Sequence, residues 1–188
     1  MRLFVAIDIP ESLKEEINNF IFSNYRLVDK NKINWVKKEN LHITLKFIGE
    51  IDKELLPKVE ERLSFCSKDK RWFKVKLEGV GVFPKINSAR VLWIGVKEEE
   101  NYIFDLAQRI EDELAKLNIE KEKREFRTHL TVGRIKVLRD RESIDSFVKK
   151  FSKKSFGVFE VDGFVLYESV LKSEGAEYSV VKKFSFSK

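Results

Sequence analysis

The sequence predicts an α+β fold of two pseudo-symmetric lobes, each an antiparallel sheet with helices on its outer face, around a central cleft. Three observations predict it. Strand-like alternation of apolar and polar residues recurs along the chain, and amphipathic helical patterns separate the strands. The pattern His-x-Thr-x occurs twice, at His42 and at His129, which are 129 − 42 = 87 positions apart. Because no linker or low-complexity segment interrupts the chain, we expect one two-lobed domain over residues 1–188.

The individual elements follow from the spacing of the apolar residues, taken in chain order. Strands are expected at residues 2–9, 33–36, 41–48, 72–83, 90–96, 126–135, 156–168 and 176–186. Helices are expected at residues 10–22, 52–65, 101–117 and 142–151. Pro10 opens the first helix, and Asp52 is a candidate cap for the second. The charged run 120–125 is expected to be a solvated loop, and residues 172–175 the turn of the last hairpin.

The two motif strands are expected to present a histidine and a threonine on one face, because successive side chains of a strand point to opposite faces. In the first motif the apolar face is expected to hold Ile43, Leu45 and Phe47. The polar face is expected to hold His42, Thr44 and Lys46. In the second motif His129 and Thr131 lie opposite Leu130 and Val132. Both His/Thr pairs should therefore point away from the core.

The repeated pattern suits acid–base chemistry on a phosphate group. The chain contains only two histidines, and both occur in these motifs. An imidazole with its ordinary pKa of about 6.5 both accepts and donates protons near neutrality, and a nearby threonine hydroxyl can bind a phosphate oxygen. A lone histidine of this kind is more simply a core or surface residue, and the duplication is what favours the catalytic interpretation.

No metal or cofactor is expected. With two histidines, one cysteine and no cluster of Asp, Glu and His at ligand spacing, a built-in metal site is not predicted. No Gly-x-x-x-x-Gly-Lys loop is present, so an ATP site is not predicted either.

The two motifs resemble those of the 2H phosphoesterases, in the LigT-like branch of 2′-5′ RNA ligases and RNA 2′,3′-cyclic phosphodiesterases. One His-x-Thr-x is a weak pattern, whereas two of them in this order and setting are specific. The resemblance covers nearly the full chain. Further stretches similar to this branch are Arg2–Asp8, Trp35–Val36, Glu39–Leu41, Phe47–Glu50, Arg90–Val96 and Leu166–Ser169.

The resemblance implies an enzyme that opens a terminal RNA 2′,3′-cyclic phosphate to leave a 2′-phosphomonoester. It implies that His42 is the proton donor and His129 the acceptor, with Thr44 and Thr131 at the phosphate oxygens. The same site can also run in the joining direction, as an ATP-independent 2′-5′ ligation. Two alternatives stay open: a non-catalytic module that binds RNA ends, and a cyclic phosphodiesterase acting on small nucleotides.

Arg134 matches an arginine that the family places at the phosphate, where it would stabilise negative charge. Strict alternation puts Arg134 on the Leu130 face, away from His129. Its binding role therefore requires either a bulge at Gly133 or an end of the strand before Arg134. Otherwise Arg134 is an outward surface charge.

Four aromatic residues are candidates for stacking on a nucleobase, although a place in the core is the simpler interpretation of each one. They are Phe4, Trp35, Phe83 and Tyr167.

The expected partner is RNA with a 2′,3′-cyclic phosphate end, such as a tRNA half. A formal net charge of +6 and a pI near 9.2 favour a polyanionic partner. No apolar run approaches the roughly 20 residues of a membrane span, and residues 3–9 are too short an apolar run for a secretory signal. Because Cys66 is the single cysteine, no intramolecular disulfide is possible, and we expect a cytoplasmic protein in a reducing setting. The expected oligomeric state is a monomer.

Overall fold

The computed structural model of the chain describes residues 1–172 and 175–188, and it contains four α-helices and nine strands in this part. The helices are α1 (Glu11–Asn24), α2 (Leu56–Ser67), α3 (Tyr102–Ala115) and α4 (Arg141–Phe151). The strands are β1 (Arg2–Asp8), β2 (Lys32–Trp35), β3 (His42–Glu50), β4 (Phe73–Phe83), β5 (Val91–Lys97), β6 (His129–Val137), β7 (Ser155–Val161), β8 (Gly163–Lys172) and β9 (Gly175–Ser185). The predicted helices are confirmed, and so are the predicted strands with one exception.

The exception is the strand predicted at residues 156–168, which was wrong because the segment forms two strands. β7 pairs with β4, whereas β8 pairs with β1, and Asp162 lies between them. The backbone carbonyl of Asp162 accepts a hydrogen bond from the amide of Phe186 (2.7 Å), in register with the first pair of the β8–β9 ladder, Gly163 and Ser185. The chain therefore crosses from one lobe to the other at this residue.

Two smaller expectations also have an outcome. Helix α2 begins at Leu56 after a short 3-10 turn, Lys53–Leu55, and the Asp52 side chain makes no capping hydrogen bond. The charged run 120–125 lies outside every helix and strand, as predicted. The turn predicted at residues 172–175 includes Ser173 and Glu174, which lie outside the described residues.

The strands form one curled sheet, and every strand pairing in it is antiparallel, which confirms the α+β class. The strand order is β7-β4-β5-β6-β3-β1-β8-β9, with β2 paired to the far end of β6. One lobe contains β1, β3, β8 and β9, and the other contains the remaining strands. The lobes join where Ile43 of β3 pairs with Leu130 of β6. These residues follow the two motif histidines directly, so a pseudo-two-fold axis passes between them.

The helices cover one side of the sheet, and two of them, α1 and α3, cover the lobe that contains the motif of the other half of the chain. Helix α1 packs against β7 and α4 against β4, whereas α3 packs against β3 and α2 against β9. The first helix thus covers the lobe of the second motif, and α3 covers the lobe of the first. Both lobes share one continuous apolar core, in which Ile43 and Leu130 are fully buried. No helix of the described part of the chain is long and apolar enough to span a membrane.

Candidate active site

Both motifs line the same cleft at the junction of the lobes. The cleft has a volume of about 560 Å³, and its lining includes His42, Thr44, His129, Thr131 and Arg134. Because Ile43 pairs with Leu130 in antiparallel register, one step along the ladder in either direction brings a histidine opposite the threonine of the other motif. Each imidazole therefore has one threonine on its own strand and a second one across the junction.

The two imidazoles are held in the same way. The Nδ1–H of His42 donates to the backbone carbonyl of Asn40 (2.7 Å), and that of His129 donates to the carbonyl of Arg127 (2.6 Å). Because a carbonyl oxygen only accepts, each neutral ring carries its proton on Nδ1 and keeps Nε2 as the acceptor. The hydroxyl of Thr44 donates to Nε2 of His42 (3.0 Å). In both motifs the residue two positions before the histidine thus fixes its tautomer and leaves Nε2 for chemistry.

Both imidazoles are poised to be neutral. Burial lowers the pKa of His42 to about 4, against a smaller opposing effect of its bond to the Asn40 carbonyl. Burial also lowers the pKa of His129, and again the bond to a backbone carbonyl opposes the shift. The positive charge of Arg134 lowers the pKa of both rings. An anionic phosphate bound in the cleft would act in the opposite direction, because it stabilises the imidazolium form.

A β-bulge in β6 turns Arg134 into the cleft. Leu92 of β5 pairs with Gly133, whereas Trp93 pairs with Thr131, so Val132 is an extra residue in the ladder. Val132 and Gly133 both face the core, and Arg134 therefore returns to the face of His129. A side chain at Gly133 would lie 3.0 Å from Ile33 and 3.2 Å from the ring of Trp35, which explains the glycine there.

The first motif strand carries a bulge at the equivalent position, and here strict alternation was wrong. Val5 of β1 pairs with Lys46, whereas Ala6 pairs with Thr44, so Leu45 is the extra residue. Lys46, expected beside His42, is instead buried in the protein. Phe47, expected in the core, is 59% exposed and lines the cleft.

Of the four aromatic candidates, only Phe83 lines the cleft, where its ring lies edge-on to His129 with the ring centroids 5.0 Å apart. Phe4 is 3% exposed and packs behind His42, with their centroids 4.9 Å apart. Tyr167 stacks on Phe4 at 5.2 Å, and Trp35 covers Gly133. Phe4, Tyr167 and Trp35 therefore support the two motif strands from positions outside the cleft lining.

Several cleft residues were not found from the sequence. Tyr178 of β9 packs edge-on to His42, with the centroids 5.5 Å apart, and it lines the cleft together with Asn40. Arg124 and Arg127 reach the cleft from the loop before β6. The sequence offered a signal only for Asn40 and Arg127, because Asn40 lies two positions before His42 and Arg127 two positions before His129. Among the described residues, no group of three or more His, Cys, Asp or Glu side chains is placed to hold a metal ion.

Comparison with known proteins gives a consistent result. A family model described as LigT like Phosphoesterase matches residues 7–93 and again 94–178. The two matches start 94 − 7 = 87 positions apart, which is the spacing of the two histidines. An RNA 2′,3′-cyclic phosphodiesterase of Archaeoglobus fulgidus is 41% identical over 98% of this chain and 99% of its own length. The enzyme of the same name from Methanocaldococcus jannaschii is 39% identical over 98% of this chain and 100% of its own.

Solved structures show the same fold. A crystal structure from Thermus thermophilus superimposes with a TM-score of 0.79 at 28% identity, covering 99% of this chain and 98% of that one. Escherichia coli LigT in complex with 3′-AMP superimposes with a TM-score of 0.75 at 24% identity, covering 100% of this chain and 98% of that one. The repeated match, the relatives and the paired motifs together show that the chain belongs to the LigT-like branch of the 2H phosphoesterase family.

Proposed function

We propose that this phosphoesterase hydrolyses a terminal RNA 2′,3′-cyclic phosphate to a 2′-phosphomonoester. The observation that carries the proposal is the pair of imidazoles in one cleft, each bound through Nδ1 to a backbone carbonyl with Nε2 left as the acceptor, and with Arg134 in the same cleft. Opening a cyclic phosphodiester requires one group that takes a proton and one that gives a proton. The names of the relatives at 41% and 39% identity support the choice of substrate.

In the proposed reaction, water attacks phosphorus in line with the 3′-oxygen, and the bond from phosphorus to that oxygen breaks. His129 takes the proton from the water through Nε2, and protonated His42 gives a proton to the departing 3′-oxygen. This assignment of roles and of the leaving oxygen follows the family resemblance. The low pKa of His42 is compatible with a donor role only when the bound phosphate raises it, so the substrate itself would complete the acid.

Thr44, Thr131 and Arg134 are proposed to hold the non-bridging phosphate oxygens. In the neutral state the hydroxyl of Thr44 donates to Nε2 of His42. Once Nε2 is protonated it becomes the donor to that oxygen, and the hydroxyl hydrogen is released to bind the phosphate. Protonation of His42 and binding of the phosphate by Thr44 would therefore favour each other. Arg134 would stabilise the additional charge in the transition state.

The same geometry supports ligation without ATP, in which an RNA 5′-hydroxyl replaces water and a 2′-5′ linkage forms. No cofactor is needed in either direction. Action of residues 1–188 as one domain is supported by the continuous sheet and the shared core. A monomeric state, a cytoplasmic location and tRNA halves as substrate stay predictions from the sequence.

The test is hydrolysis of a short end-labelled RNA with a 2′,3′-cyclic phosphate, in EDTA and across pH 5–9. Wild type should turn over, and His42→Ala and His129→Ala should each lose about 10²–10⁴-fold in rate. Lost turnover with retained RNA binding in both variants separates the enzyme from a binding module. Activity that requires a divalent ion, or unchanged rates in the variants, would refute the two-histidine mechanism. A 3′-phosphate as the only product would refute the leaving group alone.

A further inference from the structure

A second cavity opens beside the catalytic cleft and is continuous with it. This side cavity has a volume of about 380 Å³ and lies between β3, α3 and the loop before β6. It shares Thr44, Phe47, Arg124, Arg127 and His129 with the cleft, among other residues. A polymer whose end is bound at the two histidines would therefore place its next unit at this cavity.

Aromatic side chains dominate the apolar lining of the side cavity. Phe47 of β3 is 59% exposed and Phe104 of α3 is 45% exposed, and both line it. Phe126 stands next to Phe104, with their ring centroids 6.3 Å apart. An exposed apolar ring gains free energy when another surface covers it, and exposed rings that line one cavity offer faces on which a base can stack.

The charges of the side cavity are balanced, which favours a neutral occupant. Its lining contains the cations Lys46, Arg124 and Arg127 and the carboxylates Glu111, Glu122 and Glu125. Lys46 pairs with Glu111, and Arg127 with Glu125. No ion pair is formed by Arg124 among the described residues, and Arg124 lies at the boundary shared with the cleft. The boundary therefore suits a phosphate and the interior an uncharged base.

We propose that the side cavity is a second nucleotide subsite, in which Phe47 and Phe104 bind the base of the single-stranded RNA nucleotide next to the reacting phosphate, with Arg124 at the connecting phosphodiester. The inference rests on the proposed function, and it makes the enzyme specific for RNA ends over cyclic mononucleotides. The nucleotide belongs to the cyclic phosphate strand in hydrolysis. In ligation it can also belong to the 5′-hydroxyl strand, and the two sources share the same chemistry.

The experiment compares three substrates in EDTA. They are uridine 2′,3′-cyclic phosphate, a dinucleotide ending in the same group with adenine at the preceding position, and the same dinucleotide with that adenine replaced by hydrogen. For wild type, kcat/KM of the adenine dinucleotide should exceed that of the other two by about 5- to 140-fold, the range expected for one stacked base. Phe47→Ala and Phe104→Ala should each bring the ratio of adenine to abasic dinucleotide towards 1, and Phe104→Tyr should restore it.

The matched control is Phe22→Ala, because Phe22 is 78% exposed on α1 and lies outside both cavities. It should keep the wild-type ratio. Each ratio is measured within one variant, so a partly unfolded sample lowers both rates and leaves the ratio unchanged.

A parallel ligation series, with adenine or no base on the first nucleotide of the 5′-hydroxyl strand, distinguishes the two sources. A base effect in ligation alone assigns the subsite to that strand. A ratio near 1 in both reactions, or a ratio that both alanine variants preserve, overturns the proposal. If no cyclic phosphate is hydrolysed, the proposed function fails. In that case the ratio of the dissociation constants of the abasic and adenine dinucleotides, measured for wild type and for Phe104→Ala, tests the subsite.

Discussion

The buried ion pair between Lys46 and Glu111 provides the sharpest test of the β3 bulge. The bulge turns the Lys46 side chain inward, where it is 1% exposed and its Nζ lies 2.8 Å from Oε2 of Glu111. The same Nζ donates to the backbone carbonyl of Glu120 (2.9 Å), and Glu111 in turn accepts from the amide of Glu122 (3.3 Å). One lysine of the first motif strand thus holds the loop that leads to the second motif.

Lys46→Met keeps the bulk of the side chain and leaves the Glu111 carboxylate without its cation. Removal of one partner of a buried pair costs about 3–5 kcal/mol, because the other charge stays buried and uncompensated. For a chain of this size that corresponds to a fall in Tm of roughly 6–20 °C. The double variant Lys46→Met/Glu111→Leu removes both charges and should recover most of the loss, because an apolar pair often replaces a buried ion pair at little cost.

The assay is thermal unfolding at low and high salt, with Lys149→Met as the control. Lys149 forms an exposed pair with Asp145 on α4 at 2.5 Å, so its loss should change Tm by no more than about 2 °C. The double variant should also keep a reduced kcat although its Tm recovers, because the Glu120 carbonyl loses its donor and the loop that carries Arg127 loses its anchor. If Lys46→Met were as mild as Lys149→Met, the inward orientation of Lys46 would be wrong.

Three further predictions concern the titration of the cleft. Because the pKa of both histidines is lowered in the free enzyme, kcat/KM should be highest below about pH 6.5. The optimum of kcat should lie at a higher pH, because bound phosphate raises the pKa of both histidines. A rate–pH series in which the two optima coincide would contradict this. His42 has a pKa of about 4 in the folded protein, below the unfolded value of about 6.5, so the protein loses stability as the pH falls from 6.5 to 4. The plot of Tm against pH should therefore be flatter for His42→Gln than for wild type. Arg134→Met should move the optimum of kcat/KM to higher pH and reduce kcat by about 10²–10³-fold; steady-state kinetics with an unshifted optimum would show that its charge does not reach the imidazoles.

The sequence predicted the parts of the site that depend on local pattern. Alternation placed each histidine with its threonine, and the duplication placed both pairs in one cleft. It did not predict the facing of Lys46 and Phe47, because the bulge depends on how β3 registers against β1. In β6 a glycine signalled the equivalent bulge, whereas β3 has no such residue there.

Long-range pairing also explains the other differences. The sequence predicts strand at residues 156–168, on both sides of Asp162. The division of the segment is seen only from the pairing partners, which are β4 before Asp162 and β1 after it. Tyr178 and Arg124 lie far along the chain from His42 and carry no local motif. Their place in the cleft follows from the pairing of β9 with β8 and from the anchoring of the loop by Lys46.

The two bulges explain how a duplicated scaffold produces a site with direction. In both bulges the extra residue is the third after the histidine, so the fifth residue after each histidine returns to the cleft. That residue is Arg134 in the second motif and Phe47 in the first. Both imidazoles bind a backbone carbonyl through Nδ1, but this position offers a charge for phosphate in one motif and an aromatic ring in the other. A substrate with a phosphate and a base therefore meets different side chains in its two possible orientations. We propose that this asymmetry contributes, together with the stronger burial of His42, to which imidazole meets the leaving oxygen.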